Sequence, residues 1–306
     1  MSEQRIGFVG LGNMGGRMTR RLVHAGHAVL GYDPVPGRAV TAGAEPAASV
    51  NEVVHGSDVM LLSLPDSSVI EAVIRGDGGV LAAGRPGQVV MDLSTAAPSS
   101  SIALHGELAA RGIEFLDAGI SGGAAAAERG TLTIMVGGNA AALDSVSWVL
   151  EPIASRVVHM GGAGSGHVTK VLNNFLNAVS LAATAEVMLA AKKAGLDLSR
   201  VLDVINASSG VNFASLNRFP HIIRGDYLEG GLTSGLMTKD LNLYVALLAE
   251  LGMPSLLSAG PLAAFGLADS LGYRDEISNR VVDALGDIAG GIRLYHDEGD
   301  SAEAGA

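Results

Sequence analysis

The sequence predicts an α/β fold, with a parallel sheet covered by helices in the first half and only helices in the second. Two observations support this. Short β-branched and apolar runs alternate with helical patterns up to about residue 160. From Ser165 onward, apolar residues recur at helical spacing and the strand pattern almost disappears.

The first half contains six predicted strands, at residues 6–9, 27–32, 59–64, 88–92, 115–118 and 132–136. Residues 16–25 form a predicted helix between the first two. The run 59–64 is almost entirely apolar, as expected for a strand buried on both faces of a parallel sheet.

The second half contains five predicted helices, at residues 166–194, 199–207, 237–251, 254–271 and 277–286. Gly161, Gly162 and Gly164 precede the change in character and indicate a domain boundary. We therefore expect one domain over residues 1–164 and an all-helical domain over 165–295. The small, acidic tail at 296–306 is expected to be disordered.

Composition excludes several classes of function. The chain of 306 residues has a net charge of -11 and no cluster of basic residues, so we expect no nucleic acid partner. It contains no cysteine and shows no metal-ligand spacing, so we expect no metal. The N-terminus lacks a signal-peptide pattern, and Thr184 and Glu186 interrupt the longest apolar stretch. These features predict a cytoplasmic protein with no membrane partner.

A glycine loop follows the first predicted strand directly. Gly10, Gly12 and Gly15 match the pattern G-x-G-x-x-G, with Asn13 and Met14 between the last two, and a helix follows. Glycines at these positions let the backbone approach a pyrophosphate at a helix N-terminus. The placement favours a dinucleotide site over a simple tight turn.

An acidic residue ends the second predicted strand. A dinucleotide site uses a carboxylate there to bind the adenine ribose, and Asp33 occupies this position. Because a carboxylate repels a 2′-phosphate, Asp33 favours NAD over NADP. Two observations leave the role of Asp33 and the choice of NAD over NADP open. Asp33 precedes Pro34 and would also fit as a simple turn residue, and Arg38 is nearby in sequence.

A polar stripe runs along the predicted helix 166–194. His167, Lys170, Asn174 and Asn177 are spaced three or four residues apart and share one face. In one interpretation Lys170 only extends to solvent. In the other, the stripe lines a cleft where Lys170 exchanges a proton with a substrate. His167 is then expected to support the site or to face solvent.

Five motifs in register resemble the β-hydroxyacid dehydrogenase family, which includes 3-hydroxyisobutyrate dehydrogenases and tartronate semialdehyde reductases. They are GFVGLGNMG at 7–15, DLSTAAP at 92–98, DAGISGG at 117–123, GSGHVTKVLNN at 164–174 and KDL at 239–241. The resemblance extends from residue 6 to about 290. It implies an N-terminal Rossmann domain and an all-α C-terminal domain joined by a long helix.

The resemblance assigns the chemistry to residues near Lys170. Lys170 would be the general acid/base, and Asn174 would hydrogen-bond the substrate near its reacting hydroxyl. Ser121, Gly122 and Gly123 would bind the substrate carboxylate. The alternative for these three residues is a plain loop.

The same resemblance assigns further residues to the cofactor. Ser94 and Thr95 would lie by the nicotinamide and its ribose, Leu64 and Pro65 would run beside the cofactor, and Lys239 would close over it. Each assignment has an alternative: Ser94 and Thr95 could begin a helix, and Lys239 could form a surface ion pair with its neighbour.

One position departs from the family pattern. Gly119 replaces the proline of D-A-P-V-S-G-G, so we expect a more mobile loop there. Asn212, Phe213 and Asn217 are candidate pocket residues. Arg218 is either a second carboxylate anchor or a surface charge.

The implied function is hydride transfer between a nicotinamide cofactor, NAD with NADP as the alternative, and a small β-hydroxy acid such as 3-hydroxyisobutyrate or glycerate. A homodimer or homotetramer is also implied. Imine reduction on the same fold is an alternative, although imine-reducing relatives generally lack a lysine at this position. A decarboxylating phosphogluconate dehydrogenase would have a longer C-terminal domain. A non-catalytic cofactor-binding module would not need Lys170 or Asn174.

Overall fold

A computed structural model describes residues 4–295 of the chain. The chain divides into two compact units between Val171 and Leu172. This division falls inside one continuous helix, so the domain boundary after residue 164 stays a prediction. The expectation of disorder for residues 296–306 lies outside the described residues.

The N-terminal unit contains a sheet of eight strands. In chain order they are β1 Ile6–Val9, β2 Val29–Tyr32, β3 Glu45–Pro46, β4 Val59–Leu62, β5 Val89–Asp92, β6 Glu114–Ser121, β7 Leu132–Gly137 and β8 Ala154–Gly161. Their order across the sheet is β3-β2-β1-β4-β5-β6-β7-β8. From β1 to β3 successive strands are added toward one edge of the sheet, and from β4 onward toward the other edge. Doubly wound folds bind their ligands at the point between, here between β1 and β4.

The sheet is parallel as predicted except at one pair, because β6 and β7 run antiparallel. Only a short helix and its turns connect them, too little chain for the usual crossover to a parallel neighbour. The sequence also gave no sign of β3 or β8. β3 has only two residues, and most side chains of the edge strand β8 are exposed, which leaves no apolar run to recognise.

Helices connect the strands of this unit. They are α1 Asn13–His24, α2 Arg38–Thr41, α3 Val50–Gly56, α4 Ser67–Arg75, α5 Val80–Ala83, α6 Pro98–Ala109, α7 Gly123–Arg129 and α8 Ala140–Val146. A 3₁₀ turn, Ser147–Val149, follows α8. Two apolar clusters, one on each face of the sheet, bury strand and helix residues together.

The long helix α9, Ser165–Lys193, confirms the predicted helix at 166–194. Among residues 4–295 it is the one helix long and apolar enough to cross a membrane, and 56% of its most apolar window is buried within the protein. A core helix of a globular protein has the same properties, so length and composition alone do not indicate a membrane span.

The C-terminal unit continues with α10 Leu198–Asn206, α11 Phe213–Asn217, α12 Phe219–Ile222, α13 Ser234–Glu250, α14 Ala259–Ala268 and α15 Val281–Ile288. A π turn, Asp269–Tyr273, and a 3₁₀ turn, Ser278–Arg280, lie between the last two helices. The helix predicted from residue 254 begins five residues later. Leu256 and Leu257, which precede the observed helix, are both strongly exposed.

Candidate functional site

The glycine loop is packed tightly against the end of β4. Gly10 has a φ of +89°, and a β-carbon there would overlap the carbonyl oxygen of Ser63. A β-carbon on Gly15 would overlap the carbonyl oxygen of Gly10. Both positions therefore require glycine to keep the loop against the sheet and the helix against the loop.

The remaining glycine, Gly12, lies at the start of α1, where an added β-carbon would meet only Arg38 Nη1, at 3.8 Å. Gly12 is the N-cap of this helix, no side chain caps it, and its first turn has no acidic residue. Beside it lies a cleft of about 190 Å³, lined in part by Asn13, Arg17 and Arg38. Met14, by contrast, packs against the core. An uncapped helix N-terminus beside an arginine-lined cleft fits a pyrophosphate.

Both carboxylate oxygens of Asp33 accept hydrogen bonds within the protein. One carboxylate oxygen accepts from the backbone N–H of Leu11 at 2.8 Å and the other from that of Val35 at 2.9 Å. Arg38 Nη1 lies 3.1 Å from the second oxygen, and the Arg38 side chain is 45% exposed against 4% for Asp33. The carboxylate is thus both a turn residue and a neighbour of the glycine loop, and an exposed guanidinium offsets its charge.

The segments after β4 and β5 are hydrogen-bonded to each other. Ser94 Oγ accepts from the backbone N–H of Leu64 at 2.9 Å, which ties the Leu64–Pro65 and Ser94–Thr95 segments together. Ser94 N–H in turn donates to Asp92 Oδ1 at 3.0 Å. The expected alternative, that Ser94 and Thr95 begin a helix, is wrong because α6 starts at Pro98 with Ala97 as its N-cap.

Ser121 is the last residue of β6, and α7 begins two residues later. Gly122 and Gly123 make this turn with φ values of +126° and +69°, which side chains rarely adopt. Both glycines are exposed and Ser121 is half-buried. The segment is therefore a tight strand-to-helix turn with accessible backbone.

Lys170 lies directly against β6. A β-carbon on Gly119 would stand 2.5 Å from the β-carbon of Lys170. Gly119 is buried within β6 and pairs with Met135 of β7, so the expectation of a mobile loop at this position is wrong. The missing side chain instead lets the lysine approach the strand two residues before Ser121.

The first turn of α9 is fixed to the same strand. Asp117 Oδ1 accepts from Gly164 N–H at 2.7 Å, and Oδ2 accepts from His167 N–H at 2.9 Å. A β-carbon on Gly166 would overlap the carbonyl oxygens of Asp117 and Met135. The half-buried Lys170 is therefore on a helix whose start is held by a carboxylate and by backbone contact.

His167 is fully buried, so of the two expected alternatives, supporting the site or facing solvent, the second is wrong. Its Nδ1 is 2.7 Å from Ser101 Oγ, and its Nε2 is 4.0 Å from Asp92 Oδ2. Asp92 is equally buried. Burial raises the pKa of the Asp92 carboxyl, while His167 and the hydrogen bonds from Ser94 act in the opposite direction.

The C-terminal unit holds the other two residues predicted from the motifs. Asn174, one helical turn after Lys170, is buried, and its Nδ2 donates to Asp240 Oδ2. Asp240 Oδ1 lies 3.3 Å from Lys239 Nζ, so the expected ion pair is present. The Asp240 side chain is only 2% exposed, so the carboxylate is not a surface group and connects Lys239 to Asn174.

Arg218 is not a surface charge. Its guanidinium donates to Asn279 Oδ1 at 2.8 Å and to Asn177 Oδ1 at 3.0 Å. Burial lowers its pKa to about 10. Of the candidate pocket residues, Asn212 caps α11 and Phe213 is 59% exposed. These contacts give Asn212 a structural role.

Sequence patterns missed three carboxylates that organise these segments: Asp92, Asp117 and Asp240. Asp92 ends β5 and Asp117 lies within β6, next to residues assigned to the site. All three lie inside motifs quoted from the sequence, and this was the available signal. Within residues 4–295, no three His, Asp or Glu side chains cluster in a way that could hold a metal ion.

Comparison with known proteins covers nearly the whole described chain. A family model described as the NAD binding domain of 6-phosphogluconate dehydrogenase matches residues 5–162. A second, described as NAD-binding of NADP-dependent 3-hydroxyisobutyrate dehydrogenase, matches residues 164–285. Both halves of the chain therefore match models from cofactor-dependent dehydrogenases.

Individual proteins match over similar lengths. The chain is 34% identical over 276 residues to 2-(hydroxymethyl)glutarate dehydrogenase of Eubacterium barkeri, covering 89% of this chain and 92% of the relative. It is 39% identical over 250 residues to NAD-dependent L-serine dehydrogenase of Pseudomonas aeruginosa, covering 78% and 84%. Among solved structures, Mycobacterium tuberculosis 3-hydroxyisobutyrate dehydrogenase with L-serine superposes with a TM-score of 0.83 at 32% identity, covering 92% and 99%.

Proposed function

The chain belongs to the β-hydroxyacid dehydrogenase family of NAD(P)-dependent oxidoreductases, and from this premise we propose that Lys170 is its general acid/base and that its substrates are small β-hydroxy acids of the 3-hydroxyisobutyrate or glycerate type. The contact between Lys170 and Gly119 carries this proposal. It brings the one lysine of the polar stripe to the strand that ends in Ser121.

The cofactor is NAD(P), and its nicotinamide supplies the hydride acceptor or donor when bound. The uncapped start of α1 and the packed loop of Gly10, Gly12 and Gly15 fit the pyrophosphate. Asp33 lies beside the glycine loop, where its hydrogen bond from Leu11 holds it at the position expected for the adenine ribose. A carboxylate at this position supports a preference for NAD.

Lys170 acts on the proton of the substrate hydroxyl. In oxidation its neutral amine accepts this proton, and in reduction its ammonium group returns a proton to the same oxygen. The contacts at Gly119 and the Asp117 cap support this role, because they fix the helical turn that carries the amine.

The remaining residues bind and orient the acid. The exposed turn of Ser121, Gly122 and Gly123 offers a hydroxyl and backbone N–H groups for the carboxylate. Asn174 holds the substrate near its reacting hydroxyl, and Asp240 fixes the orientation of its amide. Lys239 contacts the bound cofactor near the nicotinamide.

The test is cofactor reduction by the purified protein with a panel of β-hydroxy acids, using NAD and then NADP. We expect turnover with at least one acid, faster with NAD, and a loss of at least about 100-fold in kcat for Lys170→Ala. Lys193→Ala, at the far end of the same helix, is the matched control and should retain activity. Equal rates for Lys170→Ala and the wild type would refute the catalytic assignment.

We propose in addition that the enzyme is cytoplasmic, assembles as a homodimer or homotetramer, and has no membrane or nucleic acid partner. Large apolar side chains are exposed on α9 and in the C-terminal unit, among them Leu176, Val187, Leu256 and Leu257. The net charge of -11 supports the absence of a nucleic acid partner. The exposed apolar side chains support a homodimer or homotetramer. Sedimentation equilibrium of the detergent-free protein tests this, and a monomer at micromolar concentration would contradict it.

A further inference from the structure

A buried acid and a buried imidazole face each other beneath the turn that carries Lys170. His167 Nε2 and Asp92 Oδ2 are 4.0 Å apart, both side chains are essentially inaccessible to solvent, and neither atom has a hydrogen-bond partner within residues 4–295. An unsatisfied buried polar atom costs about 1–3 kcal/mol, so two of them facing each other require an explanation.

A proton between the two side chains provides it. The distance is too long for a hydrogen bond as it stands, but a small rotation of the imidazole would close it. Ser101 Oγ is 2.7 Å from the other ring nitrogen, Nδ1, so Nε2 is the nitrogen left for Asp92. With one proton more than a neutral imidazole and an ionised carboxylate hold together, the pair has no net charge, whichever residue carries that proton. Without it, the buried pair keeps one uncompensated negative charge.

The groups that face this pair are few. Asp117 on β6 is the nearest other acid, and both its oxygens are already occupied by backbone N–H groups at the start of α9. Ser101 on α6 and Ser94 after β5 are neutral. Lys170 follows His167 by one helical turn.

The pair connects two parts of the proposed site. Asp92 accepts from the N–H of Ser94, whose hydroxyl in turn accepts from Leu64, so one side of Asp92 orders the segments assigned to the cofactor. The other side meets His167, three residues before Lys170. A substitution of Asp92 would therefore displace both the segments assigned to the cofactor and the turn of α9 that carries Lys170.

We propose that Asp92 and His167 are positioning residues, a buried hydrogen-bonded pair that holds the Lys170 turn in register with the Ser94–Thr95 segment. The proposal rests on the function proposed above for Lys170. Neither residue touches substrate. Both act through the backbone of the segments they join.

Substitutions that break and remake the pair test this proposal. His167→Leu removes the hydrogen-bonding ring, whereas the double variant Asp92→Asn/His167→Gln replaces the pair by two amides that can bond without a shared proton. We expect His167→Leu to lower kcat by about 10- to 100-fold, since small misplacements of a catalytic group have effects of this size. KM for the acid and the dissociation constant for NADH should change less than about threefold. The double variant should recover most of the lost rate.

A matched control separates positioning from general destabilisation. His105→Leu changes a half-buried histidine on α6 that hydrogen-bonds a backbone carbonyl. It should lower thermal stability without lowering the kcat of the folded protein. The proposal is overturned if folded His167→Leu keeps the wild-type kcat, or if the amide pair fails to restore the rate.

A measurement that needs no substrate distinguishes failure of the positioning role of Asp92 and His167 from failure of the proposed function. The pH dependence of Lys170 modification by an amine-reactive reagent, followed by peptide mass spectrometry, reports on this residue directly. We expect the profile to change in His167→Leu and to return in the double variant. If the wild type turns over no acid, this measurement alone decides, and an unchanged profile refutes the positioning role.

Discussion

Gly119 and Lys170 are so close that no other residue fits at position 119 without movement, since an added β-carbon would lie 2.5 Å from the Lys170 β-carbon. Gly119→Ala must therefore displace the turn of α9 that carries the lysine. We expect kcat to fall by about 10- to 100-fold with little change in cofactor affinity. Steady-state kinetics and NADH fluorescence titration check this.

The control for this substitution is Gly106→Ala in α6, where an added β-carbon meets no atom within 4 Å. Alanine is the better helix former, so this variant should be as active as the wild type and slightly more stable. If Gly119→Ala behaves like Gly106→Ala, the close contact does not set the position of the lysine.

Arg38 should determine how well the enzyme accepts NADP. Its exposed guanidinium offsets the charge of Asp33 and lines the cleft beside the glycine loop, so it is available to a 2′-phosphate. We expect Arg38→Gln to reduce kcat/KM for NADP about tenfold while the value for NAD changes less than threefold. Arg20→Gln, in the same cleft but without a contact to Asp33, is the matched control. Equal losses with both cofactors would assign Arg38 a structural role.

The buried contact between Asn174 and Asp240 should be required for substrate binding. Asp240→Leu removes the acceptor that orients the Asn174 amide and the ion pair between Asp240 and Lys239. We expect KM for the acid to rise about tenfold, with a loss of thermal stability because Asp240 is buried. Glu250→Gln, at an exposed position near the end of the same helix, should leave KM unchanged. A wild-type KM in the folded Asp240→Leu protein would show that the orientation of Asn174 is unimportant.

Local sequence patterns predicted the elements of this fold better than its contacts. The apolar run of β4 and the helical spacing of α9 are set by burial along one segment, and both were recognised. The antiparallel pairing of β6 with β7 depends on the length of a connection, so no single segment reveals it. The same holds for the site. Motifs identified Lys170 and Asn174, but the residues that position them are distant in sequence and become visible only when the chain is folded.

The buried Asp92 carboxyl should make the stability of the protein depend on pH. Burial raises its pKa in the folded state above the model value of 3.8, so the folded chain binds this proton more tightly than the unfolded chain. The free energy of unfolding therefore falls as the pH rises above about 4 toward the folded-state value, by about 1.4 kcal/mol for each unit of pKa difference. Asp92→Asn removes this dependence.

Thermal unfolding midpoints of the wild type and Asp92→Asn, measured between pH 4 and pH 8, test the sign of this effect. The variant should gain stability relative to the wild type as the pH rises, even though the positioning role of Asp92 predicts a slower enzyme. Asp77→Asn, at an exposed carboxylate, should follow the wild-type curve. Parallel curves for Asp92→Asn and the wild type would mean that the pKa of Asp92 is the same in the folded and unfolded chains, with the effects of His167 and Ser94 cancelling that of burial.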